Sequence, residues 1–110
     1  MLDVGERDGV TLVRVTEKRL DAAAAPAFKA RVSDLIAGGA SRIVVDLSGV
    51  AFVDSSGLGT LVSALKQLGS RGDLALAGVQ PAVAKLLQLT RLDRVFRTFP
   101  TADDAVRGLA

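Results

Sequence analysis

The run Arg42-Ile43-Val44-Val45-Asp46-Leu47 constrains this chain more than any other segment. Apolar, largely β-branched side chains follow one another there without polar alternation, which predicts a central strand covered by other parts of the chain. Such a strand needs apolar helices beside it, and the flanking sequence supplies them. Phe28, Val32, Leu35 and Ile36 fall at i, i+4, i+7 and i+8, one face of a helix that Pro26 opens and Gly38-Gly39 stops. Leu58, Leu61, Val62, Leu65 and Leu68 mark a second amphipathic helix, ended by Gly69 or Gly72. Pro81 opens a third, with Val83, Leu86, Leu87 and Leu89 facing inward.

The remaining segments complete an alternating pattern. Leu2 to Arg7 and Val10 to Thr16 flank Asp8-Gly9 and read as a β-hairpin. Leu74 to Ala77 reads as a buried strand and Val95 to Phe99 as a weaker one, while Thr101-Ala102-Asp103-Asp104 resembles a helix N-cap with an acidic first turn, leading to Val106 and Leu109. The predicted order is β-β-α-β-α-β-α-β-α. Alternating helices and strands imply parallel crossovers and the hairpin adds an antiparallel pair, so the fold class is α/β with a mixed, mostly parallel sheet and helices packed on it. At 110 residues the chain reads as one domain spanning 1–110, and with Phe as its only aromatic its core must be aliphatic.

Composition removes most chemistry. Without Cys there is no disulfide framework or thiolate metal site, and without His the commonest zinc ligand and general base are both missing. A Ser-His-Asp arrangement cannot be built, and no G-x-x-x-x-G-K-[ST] loop is present, so the expectation is a protein that is not an enzyme and uses no cofactor or metal. The 14 basic and 12 acidic residues are scattered without a Lys/Arg run, which argues against nucleic acid as a partner. Met1 to Asp8 carries charges through any signal region, and no apolar run approaches the roughly 18 residues of a membrane span, so the chain is expected to be cytoplasmic.

Asp54-Ser55-Ser56-Gly57-Leu58-Gly59 is the informative stretch, because it joins a strand exit to a helix whose apolar face is already accounted for. Capping, worth about 1 kcal/mol, explains Asp54 and one serine. Three features exceed it. The second serine is surplus to a cap, and Gly57 and Gly59 each cost about 1 kcal/mol relative to Ala inside a first helical turn, which points to close approach by something, here a partner surface. Projected at about 100° per residue, Gly59, Ser63, Lys66 and Ser70 lie opposite the apolar face. A phosphate on Ser55 would sit at the free N–H groups and positive dipole end of its own helix, yet would bring about 1.5 to 2 negative charges to a partner's docking face beside Asp54.

Ile43 to Leu47 followed by Val53-Asp54-Ser55-Ser56-Gly57-Leu58-Gly59 resembles the signature of the STAS domain, named from sulphate transporters and anti-sigma factor antagonists. The resemblance extends to Leu20-Asp21 before the first helix, the Gly72 to Gly78 strand and Pro81-Ala82-Val83, and its D-S-S-G form is most similar to bacterial anti-anti-sigma factors. It implies that Ser55 is the phosphoacceptor and that Asp21, Asp54, Ser56, Gly57, Leu58, Gly59 and Ser63 border the partner surface. It further implies that the unphosphorylated domain binds an anti-sigma factor that is also a serine kinase, frees a sigma factor, and is restored by a serine phosphatase after phosphorylation. The alternative within the family is an accessory subunit of a lipid or anion transporter, or of a stress-sensing assembly. Lys18 stands where many relatives have a glycine, so the turn there is expected to differ. Asp46 is assigned to accepting backbone hydrogen bonds around Ser48-Gly49. Arg91, Arg94 and Arg97 form a loose basic cluster able to contact an acidic partner, with solvated surface the expected reading.

Overall fold

The computed structural model describes residues 2–110. Strands β1 (Leu2–Arg7) and β2 (Val10–Val15) pair antiparallel across Asp8-Gly9. Both turn residues have positive φ, 54° and 78°, the two-residue hairpin geometry that Asp-Gly adopts with little strain. There follow β3 (Arg19–Leu20), α1 (Ala25–Ala37), β4 (Arg42–Asp46), β5 (Phe52–Val53), α2 (Ser55–Leu68), β6 (Asp73–Ala77), α3 (Pro81–Leu89), β7 (Arg97–Phe99) and α4 (Ala102–Leu109). The main sheet has the order β1-β2-β4-β6-β7. Only the β1 edge is antiparallel, as expected from one hairpin followed by helical crossovers.

The lack of alternation in Arg42 to Leu47 has its reason in how the sheet is covered. Ile43 and Val45 face one layer, packing with Val13, Leu74 and Leu76 beneath Phe28 and Val32 of α1, Leu61 of α2 and Leu87 of α3. Val44 faces the other, where Val10, Ala75 and Ala77 lie beneath Ala105, Val106 and Leu109 of α4. Every apolar position of β4 is therefore fully buried. At about 1.5 to 3 kcal/mol for each buried aliphatic side chain, both clusters contribute substantially to holding the sheet.

Three local expectations change. The nine-element order gains β3 and β5, a two-residue pair that forms its own parallel ribbon with Arg19 opposite Phe52 and Leu20 opposite Val53. Val95 is not part of a strand: a 3-10 turn over Leu92–Arg94 takes up the chain, β7 starts at Arg97, and Val95 is exposed. Leu89, expected to face inward, is 72% exposed, because the buried stripe of α3 consists of Val83 and Leu87, and Leu89 lies about 200° around the helix from Leu87. Among the described residues no helix is long and apolar enough to cross a membrane.

Candidate functional site

The start of α2 is held from inside by one carboxylate. Asp54 is the N-cap in extended conformation, and its Oδ1 accepts the Gly57 backbone N–H at 2.9 Å. Its Oδ2 accepts the Ala22 N–H at 3.0 Å, and its own N–H donates to the Leu20 carbonyl at 3.3 Å. Asp54 thus closes the helix and fastens it to the chain that leaves β3. The capping role predicted for this position belongs to Asp54, and neither serine is needed for it.

The two glycines have different explanations. Gly57 is buried, and a Cβ there would lie 2.1 Å from the Leu20 carbonyl oxygen and 2.9 Å from Val53 Cγ1. Its close neighbour is the protein's own backbone, which corrects the expectation that a partner surface accounts for this glycine. Gly59 is exposed, and nothing lies within 4 Å of a Cβ placed on it. Leu58, also expected at the partner surface, is 8% exposed and belongs to the core.

The buried face of α2 also includes Thr60 and Ala64, which apolar periodicity did not mark; Thr60 Oγ1 donates to the Gly57 carbonyl at 2.7 Å. Ser63 is half-buried about 12 Å along the axis from Ser55, given 1.5 Å of rise per residue. Ser70, projected onto the outer face, lies beyond α2 in the 3-10 turn Gly69–Arg71, since the helix stops where Gly69 takes φ 57°.

Ser55 and Ser56 are the first two residues of α2, and both are exposed. The first turn contains no acidic residue, so the partial positive charge of the helix start is met only by the cap. Both Asp54 oxygens are engaged by backbone N–H groups. The arrangement presents hydroxyls that can accept a group from outside.

Asp21 is brought to the same end of the molecule by the β3/β5 ribbon. Its Oδ1 accepts the N–H groups of Ala23 at 3.1 Å and Ala24 at 3.2 Å, and its Oδ2 meets Arg19 Nε at 3.2 Å. The Ala24 hydrogen bond first, and Arg19 second, hold its carboxyl below the usual aspartate range. Asp21 therefore shapes the turn before α1, whose own N-cap is Ala24. The Arg19 guanidinium lies 4.2 Å from the centre of the half-exposed Phe52 ring, a cation–π contact. An open depression of about 500 Å³ adjoins this cluster, lined by Lys18, Arg19, Asp21 and Ala23 among others. Lys18 accepts the Ala51 N–H through its backbone carbonyl at 2.8 Å, so its side chain is free to line that depression. Arg19 and Phe52 were not singled out from sequence, because two-residue strands carry no period. Asp46 accepts the Ser48 N–H at 2.9 Å, the turn role expected of it.

Ser55, Ser56, Asp54, Asp21 and Gly59 thus share one end of the fold, while Gly57 and Leu58 support it from within. A family profile described as the STAS domain matches residues 1–105. The anti-sigma-F factor antagonist RsfB of Mycobacterium tuberculosis is 26% identical over 106 residues, covering 96% of this chain and 86% of RsfB. The crystal structure of an anti-sigma factor antagonist from Mycobacterium paratuberculosis aligns with a TM-score of 0.91 at 32% identity, over 99% of this chain and 92% of that one. The Bacillus cell fate determinant SpoIIAA in its phosphorylated form shares the fold, with a TM-score of 0.77 at 20% identity and 100% coverage of both chains. Sheet order, the serine-bearing start of α2 and the profile match lead to one conclusion: the chain belongs to the STAS domain family.

Proposed function

We propose that this protein is an anti-sigma factor antagonist, that its unphosphorylated form binds an anti-sigma factor with serine kinase activity and so releases a sigma factor, and that phosphorylation of Ser55 switches it off. The observation that carries this reading is the division of labour at α2: Asp54 makes the cap, and Ser55 is exposed at the helix start with no structural task. Family membership and the names of the two mycobacterial relatives support the antagonist role.

In the modification step, Ser55 Oγ attacks the γ-phosphorus of ATP held by the kinase, its proton passes to a base of the kinase, and ADP leaves. This chain contributes position alone. The resulting phosphate lies at the N-terminus of α2, where the dipole favours a negative charge by about 0.3 to 1 kcal/mol, so the domain keeps its fold. That SpoIIAA has this fold in its phosphorylated form supports such tolerance. The partner meets about 1.5 to 2 new negative charges beside Asp54, on a face that Asp21 and Gly59 border. Complex formation weakens, and a serine phosphatase restores it.

The test is transfer of labelled phosphate from ATP by a candidate anti-sigma factor kinase to wild type, Ser55→Ala and Ser56→Ala. Labelling should vanish in Ser55→Ala and persist in Ser56→Ala, while Ser55→Ala still binds the kinase. Labelling of Ser55→Ala at the wild-type level would place the phosphoacceptor elsewhere.

A further inference from the structure

The large hydrophobic residues left exposed among the described residues are Phe52, Leu89 and Val95, and all three border α3 or the turn that follows it. Between β5 and α3 runs a groove of about 160 Å³ lined by apolar residues, with Phe52 on one wall and Ala82 and Leu86 on the other. At about 100° per residue, Ala82, Leu86 and Leu89 fall within about 60° of one another, so the groove wall continues along α3 to its end. Ala82 and Leu89 are exposed and Leu86 is half-buried.

The far end of this stripe is basic. Residues 81–97 contain Lys85, Arg91, Arg94 and Arg97 against the single carboxylate of Asp93. The ion pairs among the described residues use Arg7, Arg14, Arg19 and Arg107, and none uses this group. Arg97 is turned toward the Phe99 ring and the Gly108 carbonyl, but Lys85, Arg91 and Arg94 are exposed. Arg91 also occupies the left-handed region, at φ 61°, just past the end of α3, a position glycine would take without strain. A strained arginine, unpaired and beside an exposed leucine, fits a carboxylate-bearing partner better than it fits plain solvent.

We propose that the stripe from Phe52 across Ala82 and Leu86 to Leu89 docks an acidic amphipathic helix of a protein partner, whose carboxylates meet Arg91 and Arg94. The stripe starts beside the serine face, at Phe52 and Ala82, and leads away from it to its basic end. Ser55 lies where the chain has left β4, at the exit end of the parallel strands, whereas Arg91 and Arg94 precede β7, at the entry end of the same sheet. The basic end thus stands away from Ser55, so a partner anchored there can stay bound while the serine face engages and releases.

The probe is a synthetic helix of about 18 residues, roughly five turns, with leucines at i, i+4 and i+7 repeats and glutamates elsewhere; a second carries lysines in place of the glutamates. Binding is followed by fluorescence anisotropy to wild type, Leu89→Ser, the double variant Arg91→Gly/Arg94→Ser, and Ser55→Asp. The acidic helix should bind wild type and Ser55→Asp alike, lose about tenfold or more in the other two variants, and weaken with added salt. The basic helix should not bind. Thermal unfolding checks each variant's fold, and Arg91→Gly should melt no lower than wild type. Equal binding of the two helices, no binding of the acidic one, or unchanged affinity in Leu89→Ser would overturn the proposal. So would an equal loss in Ser55→Asp, which would merge the stripe with the serine face, or binding of phosphatidylglycerol vesicles in place of the acidic helix.

Discussion

Helices α2 and α4 begin alike and then diverge. Each has a side-chain cap three residues from its donor, Asp54 to Gly57 N–H at 2.9 Å and Thr101 to Asp104 N–H at 3.1 Å. In α4 the first turn continues with Asp103 and Asp104, which pair with Arg7 and Arg107. That helix start is already answered by its own carboxylates. In α2 the cap is followed by two exposed serines and then by Gly57, pressed against the Leu20 carbonyl. Here the order comes from behind, through backbone packing and the second Asp54 oxygen, and the front remains open to added charge. A helix start can thus be rigid and electrostatically unfilled at once, which suits a modifiable site.

The largest expected effect separates the two glycines of α2. Gly57→Ala forces a Cβ into the Leu20 carbonyl and should destabilise the fold by about 3 kcal/mol in urea unfolding. Gly59→Ala fills open space on a helix and should stabilise by roughly 0.5 to 1 kcal/mol. Equal costs would mean that α2 is not braced against β3 as described.

The caps come next. Thr101→Ala should cost about 1 kcal/mol and Asp54→Ala about 2 kcal/mol, because Asp54 also satisfies the Ala22 N–H. Equal losses in thermal melts would remove the second Asp54 oxygen from the account.

Charge effects at the first turns are smaller. Ser55→Asp should leave stability unchanged or raise it by up to about 0.5 kcal/mol at low salt. Asp103→Asn should lower the melting temperature of α4's host fold, since it removes the Arg7 pair, and the loss should shrink at high salt.

The smallest effect is pH dependence. Asp21 is held below its ordinary range by the Ala24 N–H and then Arg19, and Asp103 by its hydrogen bond with Arg7. A carboxyl with a depressed folded-state pKa stabilises above its unfolded value, about 3.9, and loses that contribution as pH falls through the folded value. Stability should therefore decline below about pH 4. Asp21→Asn should flatten that decline at any salt concentration because its main cause is a backbone donor, whereas the Asp103 share should fade with salt.

Much of this fold was legible in short-range chemistry. Asp8-Gly9 announced a hairpin and indeed takes positive φ at both residues; Pro26 and Pro81 lie in the first turns of α1 and α3; and the unbroken apolar run of β4 reflected burial on both faces. What escaped was whatever depends on chain segments meeting at a distance. The β3/β5 ribbon offers only two residues per strand, too few for any period, yet it brings Arg19 beside Phe52 and Asp21 toward Asp54. Gly57 looked like its neighbour Gly59 in sequence, and only the path of the Leu20 carbonyl separates their roles. Leu89 continued the apolar spacing of α3 but lies about 200° around the helix from the buried Leu87. The serine motif itself was readable because its cap and its surplus hydroxyl are local features.

The central claim, a modification that the domain tolerates and its partner does not, is tested most directly by measuring affinity and stability on one sample. Protein fully phosphorylated on Ser55 should bind the proposed anti-sigma factor partner about 100-fold more weakly than the unmodified form by titration calorimetry, a loss of about 2.7 kcal/mol, while its melting temperature moves by no more than about 2 °C. Unchanged affinity, or a loss of binding that tracks a collapse in melting temperature, would contradict it.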